Sequence, residues 1–185
     1  MLCERGGVPD VVKVLDFGLV KELGRDEMET VTRANIVTGT PQYMAPEALI
    51  KPDAVDGRTD LYALGAVGYF LLTGQQVFEG ETMVEVCSHH LHTAPIPPSE
   101  RLGRTIPRDL ERLILACLAK DPGDRPQTAT DLDRQLAGCA VPAWDTDQAA
   151  AWWHEHRDAI RSRSQEAESS GFERTIAVDL AAHHK

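Results

Sequence analysis

The run Arg58-Thr59-Asp60-Leu61-Tyr62-Ala63-Leu64-Gly65-Ala66-Val67-Gly68-Tyr69-Phe70-Leu71-Leu72-Thr73-Gly74 is apolar nearly all the way round a helical projection. A helix of that kind must be buried on most of its sides, so residues 59–73 are expected to form a central helix that other elements wrap. Gly65 and Gly68 each cost about 1 kcal/mol of helix propensity relative to alanine, a cost that close approach of a neighbouring backbone would offset. Gly74 stands where a helix C-terminal cap belongs. The apolar stretch from Leu61 to Leu72 falls short of the roughly 20 residues that span a bilayer, so it reads as a core helix. With 185 residues, 42% of them hydrophobic, the chain can build one ordinary domain plus an extension around it.

Other helices follow from periodicity. Pro107–Ala119 places Leu110, Leu113, Ile114, Cys117 and Leu118 on one face, with proline in the first turn. Thr82–His92 carries Met83, Val86 and Cys87 at helical spacing and breaks at Ala94-Pro95-Ile96-Pro97-Pro98. Thr128-x-x-Asp131 has the form of a capping box opening a short helix that holds Leu132 and Leu136 and stops at Gly138. His89, His90 and His92 lie close in sequence, but adjacent histidines diverge on a helix and make a poor metal site.

At the N-terminus, the β-branched stretch Val11–Leu15 reads as the second strand of a small hairpin, with the turn-rich Arg5–Asp10 before it. Beyond Pro142 the character changes. Asp145–Ile160 is expected to be helical, and its Trp152 and Trp153 would dock this tail onto the domain. A polar linker, Ser162–Glu173, and a short strand, Thr175–Leu180, would follow.

The net charge of −10 argues against nucleic acid or an anionic membrane as partner, since both require a basic footprint. Four cysteines, at positions 3, 87, 117 and 139, form no close pair and read as free thiols in a reducing compartment. The first seven residues lack the apolar core of a signal peptide, and the expected location is cytoplasmic.

The chemistry lies in one segment. Asp16-Phe17-Gly18 follows the hairpin strand, a charged stretch runs from Val20 to Asn35, and Gly39-Thr40-Pro41-Gln42-Tyr43-Met44-Ala45-Pro46-Glu47 closes it. Farther on stands Asp121-Pro122-Gly123-Asp124-Arg125-Pro126. Asp16-Phe17-Gly18 alone or Ala45-Pro46-Glu47 alone would be commonplace, but in this order and spacing the set resembles the activation segment and distal arginine motif of a eukaryotic-like, bacterial-type Ser/Thr protein kinase.

The resemblance implies a mainly α fold with a small β-hairpin, the C-terminal lobe of a kinase, and transfer of the ATP γ-phosphoryl group to Ser/Thr of protein substrates. It implies that Asp16 ligates Mg²⁺, that Phe17 packs as a switch and that Gly18 is the joint, these three forming the cofactor-binding set. It places Thr40 beside the catalytic base, where it helps select a hydroxyl substrate. Glu47 and Arg125 would form a structural ion pair, and Asp60 would hold the backbone of the catalytic loop; helix capping by Asp60 is an equally open reading. Thr30, Thr32 and Thr38 are candidate phosphosites, where an added phosphate would recruit arginine and order the loop.

The resemblance covers residues 1–138, with 139–185 as a C-terminal tail. The family's Gly-rich loop, ATP-binding lysine and catalytic-loop aspartate have no counterpart here. The expectation is therefore an internal Met1, a kinase domain whose upstream part is missing, and neither ATP nor Mg²⁺ bound by this chain alone. The alternative is a non-catalytic, pseudokinase-like module that docks proteins. Either way, a face of the central helix is expected to be exposed and to promote association.

Overall fold

The computed structural model describes residues 2–13, 36–170 and 176–179. It is mainly helical with a small antiparallel hairpin, and the chain divides into two compact units.

The first unit joins residues from both ends of the chain, 1–32 and 142–175. Strands β1 (Leu2–Arg5) and β2 (Val8–Val12) pair antiparallel. The turn is only Gly6-Gly7, with φ of +58° and +81°, so β2 starts at Val8 and not at Val11 as the sequence suggested. Two consecutive left-handed residues make the tightest hairpin connection, and glycine adopts them without steric cost. The tail forms one helix, numbered α7 in chain order, from Thr146 to Ser170. It overruns the expected linker at Ser162–Glu173, because nothing between Ser162 and Ser170 is glycine or proline and Arg, Gln, Glu and Ala sustain a helix.

The second unit, residues 33–141 and 176–185, is built on α2 (Gly57–Thr73). Its N-cap is Asp56, whose carboxylate accepts the Arg58 N–H at 2.9 Å. Gly74 ends it in the left-handed region at φ +71°. Around it lie α1 (Pro46–Ile50), α3 (Met83–His92), α4 (Pro98–Leu102), α5 (Arg108–Cys117) and α6 (Ala129–Ala137). Thr82 caps α3 through the Glu85 N–H, and Thr128 caps α6 through the Asp131 N–H. Helix α4 had no periodic signal because it is a single turn after Pro97-Pro98; Glu111 of α5 holds its Ser99 N–H at 2.7 Å.

Strands β3 (Ile36–Gly39) and β4 (Ile176–Asp179) pair antiparallel, with Gly39 opposite Ile176. The main core gathers Ala45, Tyr62, Ala66, Tyr69, Val77, Phe78, Ile114 and Leu118, and a second cluster joins Leu61, Leu113, Cys117 and Leu132. Gly65 and Gly68 face α5, where a Cβ on Gly65 would lie 2.6 Å from the Cys117 Cβ. The two glycines thus let α2 and α5 pack at close range, the compensation their helix cost requires.

Candidate functional site

From β3 the chain passes through Thr40, in extended geometry, into a 3-10 turn at Pro41–Tyr43. Proline at the first turn position presets φ and surrenders a donor that would be unsatisfied there. The Thr40 carbonyl accepts the Tyr43 N–H at 3.0 Å and the Pro41 carbonyl accepts the Met44 N–H at 3.2 Å. Pro41, Ala45 and Pro46 are buried, and Thr40 is exposed. Ala45 belongs to the core formed with Tyr62, Ala66 and Tyr69 of α2, and the Tyr43 hydroxyl receives Gln76 Nε2 at 3.3 Å. The loop is thus pinned from below while Thr40 stays accessible.

Glu47, at the start of α1, is brought to Arg125 by the turn Pro122–Asp124. Arg125 Nη1 donates to Glu47 Oε1 and Nη2 to Oε2, both at 2.7 Å. The other donors of the guanidinium are also used: Nε on the Ala119 carbonyl, Nη1 on that of Arg58 and Nη2 on that of Lys120. A guanidinium has five N–H donors, so this buried cation is fully satisfied. Its plane also sits 4.9 Å from the Tyr62 ring centre. Thr59 Oγ1 adds a 2.8 Å bond to Glu47 Oε1. Burial pushes the Glu47 carboxyl pKa up, but the bonds from Arg125, its own backbone N–H and Thr59 outweigh it and leave the group below the usual range.

Beneath the same turn, Tyr62 Oη and His90 Nδ1 lie 2.8 Å apart in the core. His90 has no exposed surface. Burial first, and the Lys120 cation second, lower its pKa to about 4, so the imidazole is neutral at ordinary pH. The Gln42 backbone lies close enough to oppose this shift but not in hydrogen-bond geometry, and Nε2 has no partner among the described residues. Lys120 Nζ donates to the His90 carbonyl at 2.7 Å, closing the C-terminus of α3, and lies 4.5 Å from the Phe78 ring centre. Burial lowers its pKa to about 8.

The structure therefore brings Glu47 and Arg125 together and sets Thr40 on the surface of the anchored loop. Asp60 is exposed in the first turn of α2, and the capping role belongs to Asp56. The Arg58 side chain, hydrogen-bonded to Asp56, is the main reason that its carboxyl falls to about 2. Thr38 lies in β3 opposite Ala177. Asp16, Phe17, Gly18, Thr30 and Thr32 lie outside the described residues. Among those described, no three His, Cys, Asp or Glu residues group as a metal site, and no helix is long and apolar enough to cross a membrane. Thr59 and the carbonyls of Arg58, Ala119 and Lys120 were not foreseen.

Residues 1–136 match the family model described as protein kinase domain. The chain belongs to the protein kinase domain family. It is similar to the serine/threonine-protein kinase pkn3 of Myxococcus xanthus, at 42% identity over 138 residues, 74% of this chain and 25% of that protein. Identity to the serine/threonine-protein kinase PknB of Mycobacterium tuberculosis is 41% over 127 residues, 69% of this chain and 20% of the relative. A probable serine/threonine-protein kinase PknB of Corynebacterium glutamicum is 38% identical over 140 residues, 74% of this chain and 21% of that protein. The chain thus spans a fifth to a quarter of these kinases' length. The Glu47–Arg125 ion pair lies within the matched region.

Proposed function

We propose that this chain supplies the substrate platform of a Ser/Thr protein kinase that transfers the ATP γ-phosphoryl group to Ser or Thr of protein substrates. The observation that carries the reading is the anchored loop Gly39–Glu47: Arg125 and Thr59 lock its end, core residues hold Ala45, and Thr40 faces solvent. Such a platform positions an acceptor hydroxyl, and positioning is most of what phosphoryl transfer asks of the protein.

Within this reading Asp16 holds the metal, with Phe17 and Gly18 completing the cofactor-binding set, and Thr40 helps orient the acceptor. Bound ATP with Mg²⁺ supplies the phosphoryl group and neutralises charge as it transfers. Asp60 supports the backbone of a catalytic loop contributed by the upstream part of the kinase domain. Thr30, Thr32 and Thr38 are regulatory phosphosites, and the location is cytoplasmic, in keeping with four unpaired thiols. The chain alone binds neither ATP nor Mg²⁺, because lysine, base and Gly-rich loop are contributed from elsewhere. The alternative, a protein-docking module without catalysis, draws support from the exposed apolar face of α2 at Leu64, Val67, Phe70 and Leu71.

Calorimetric titration with ATP and Mg²⁺ separates the two. A chain extended upstream through the catalytic loop, the ATP-binding lysine and the Gly-rich loop should bind nucleotide and lose Mg²⁺-dependent affinity on Asp16→Asn. Absence of binding in the extended chain would leave the docking module.

A further inference from the structure

The hairpin of the first unit is irregular at one place. Cys3 pairs with Val11 and Arg5 with Val8, so Pro9 and Asp10 together stand across from Glu4, a β-bulge. Bulges re-aim side chains. Asp10 sits there at φ +56°, a left-handed conformation that aspartate tolerates better than most residues. The two acids that meet at this bulge are the two that the tail engages.

Trp144 Nε1 donates to Asp10 Oδ2 and Trp153 Nε1 to Asp10 Oδ1, both at 2.7 Å. Arg157 Nη2 donates to both Glu4 carboxylate oxygens, at 3.1 and 2.9 Å. Trp153 and Arg157 are four residues apart on α7 and share a face, while Trp144 approaches from the segment before the helix. Asp145 and Gln148 exchange reciprocal bonds of 2.8 and 3.0 Å that open α7, and Ala149 is buried. The two indole donors hold the Asp10 carboxyl below its ordinary range.

The contact is directed and not merely greasy. Trp144 remains 57% exposed, so its ring gains little burial and its N–H makes the attachment. The neighbouring Trp152 instead stacks on His156 at 4.5 Å.

We propose that the bulge of the β1–β2 hairpin is a docking site for the chain's own tail, and that Glu4 and Asp10, held by Arg157, Trp144 and Trp153, are positioning residues for strand β2. Strand β2 ends at Val12 and Asp16 follows it closely in sequence, so, on the kinase reading above, a tail that holds β2 bears on the chain leading to the metal-ligand position.

The three tryptophans of the chain all lie in the tail, so selectively excited tryptophan emission reads the tail, two of its three indoles being in the clasp. Asp10→Asn suits the left-handed backbone and keeps the side chain's shape, but it removes the charge and one acceptor. It is expected to red-shift the emission and raise acrylamide quenching. It should also raise amide hydrogen exchange several-fold in peptides covering 142–160 and 8–18, with α2 and α5 unchanged. Trp153→Phe, which keeps a ring and removes the donor, should reproduce the exchange result, and Trp152→Phe should not. Wild-type exchange in both segments of Asp10→Asn would overturn the docking site. Faster exchange in the tail with none in 8–18 would overturn the positioning role. Neither readout needs nucleotide, so failure of the extended chain to bind ATP would count against the kinase reading and leave the clasp standing.

Discussion

The Arg125 guanidinium meets the Glu47 carboxylate through two parallel bonds of 2.7 Å, with Arg125 at 3% exposure. Removing one member of such a pair strands the other, and the cost for a buried pair is about 3–5 kcal/mol. Arg125→Ala is therefore expected to lower the unfolding free energy from urea titration by that order, with the exchange protection of residues 40–47 lost. Arg125→Lys should recover little, since an ammonium cannot serve both carboxylate oxygens and three carbonyls at once. A loss under about 1 kcal/mol, the range of a surface pair, would contradict the buried-clamp account.

Gly65 and Gly68 separate two kinds of close approach. A Cβ on Gly65 would meet the Cys117 Cβ at 2.6 Å with the Cys117 and Leu118 atoms behind it at 3.4 Å, whereas on Gly68 it would meet only the Ile114 side chain, its Cδ1 at 2.6 Å. A terminal methyl can rotate away; a Cβ fixed to a helix backbone cannot. Gly65→Ala should destabilise by about 1–3 kcal/mol through overpacking. Gly68→Ala should cost far less, because a helix propensity gain of about 1 kcal/mol offsets the repacking. Thermal denaturation of the two variants decides, and equal losses would contradict the distinction.

His90 makes stability pH-dependent. Folded His90 titrates near 4 and an unfolded histidine near about 6.5. Between those values the unfolded chain binds the extra proton, so stability falls as pH drops through this window and is fully present above it. His90→Gln should be less stable than wild type at pH 7.5, and the gap should narrow by a few kcal/mol on going to pH 4.5. Parallel pH profiles of the urea midpoint would remove His90 as the cause.

On α2, Leu64 and Leu71 are 50% and 77% exposed, and Val67 and Phe70 lie on the same side. The chain is expected to self-associate with rising concentration through this face, seen by sedimentation velocity. Leu64→Glu with Leu71→Glu should suppress association and leave the thermal midpoint nearly unchanged, since both positions already face water. A wild-type chain that stays monomeric at high concentration would contradict this.

Much of this was legible because some sequence signals are local. Apolar residues on every side of Leu61–Leu72 mark a core helix, although only the face with Leu61, Tyr62, Ala66 and Tyr69 is buried, and Thr128 with Asp131 marks a helix start. The Glu47–Arg125 pair was expected for a different reason: the resemblance to the kinase family implied it, and the two side chains meet at 2.7 Å. Thr59 and the carbonyls of Arg58, Ala119 and Lys120 were not, since a backbone carbonyl has no residue type to announce it. Asp56 and Asp60 both precede apolar turns, and which one caps depends on where the backbone leaves extended geometry, at φ −135° for Asp56.

The amino-acid sequence by itself determined the central helix, the helices capped by Thr82 and Thr128, and the order of the kinase-domain motifs, because these rest on periodicity and residue type over a few turns. Only the tertiary structure decided which acid the tail tryptophans reach, that His90 is neutral and enclosed, and that all five guanidinium donors of Arg125 are used. Those outcomes depend on the register of a bulged hairpin and on groups up to 153 residues apart in sequence meeting in space, and no local pattern encodes such distances.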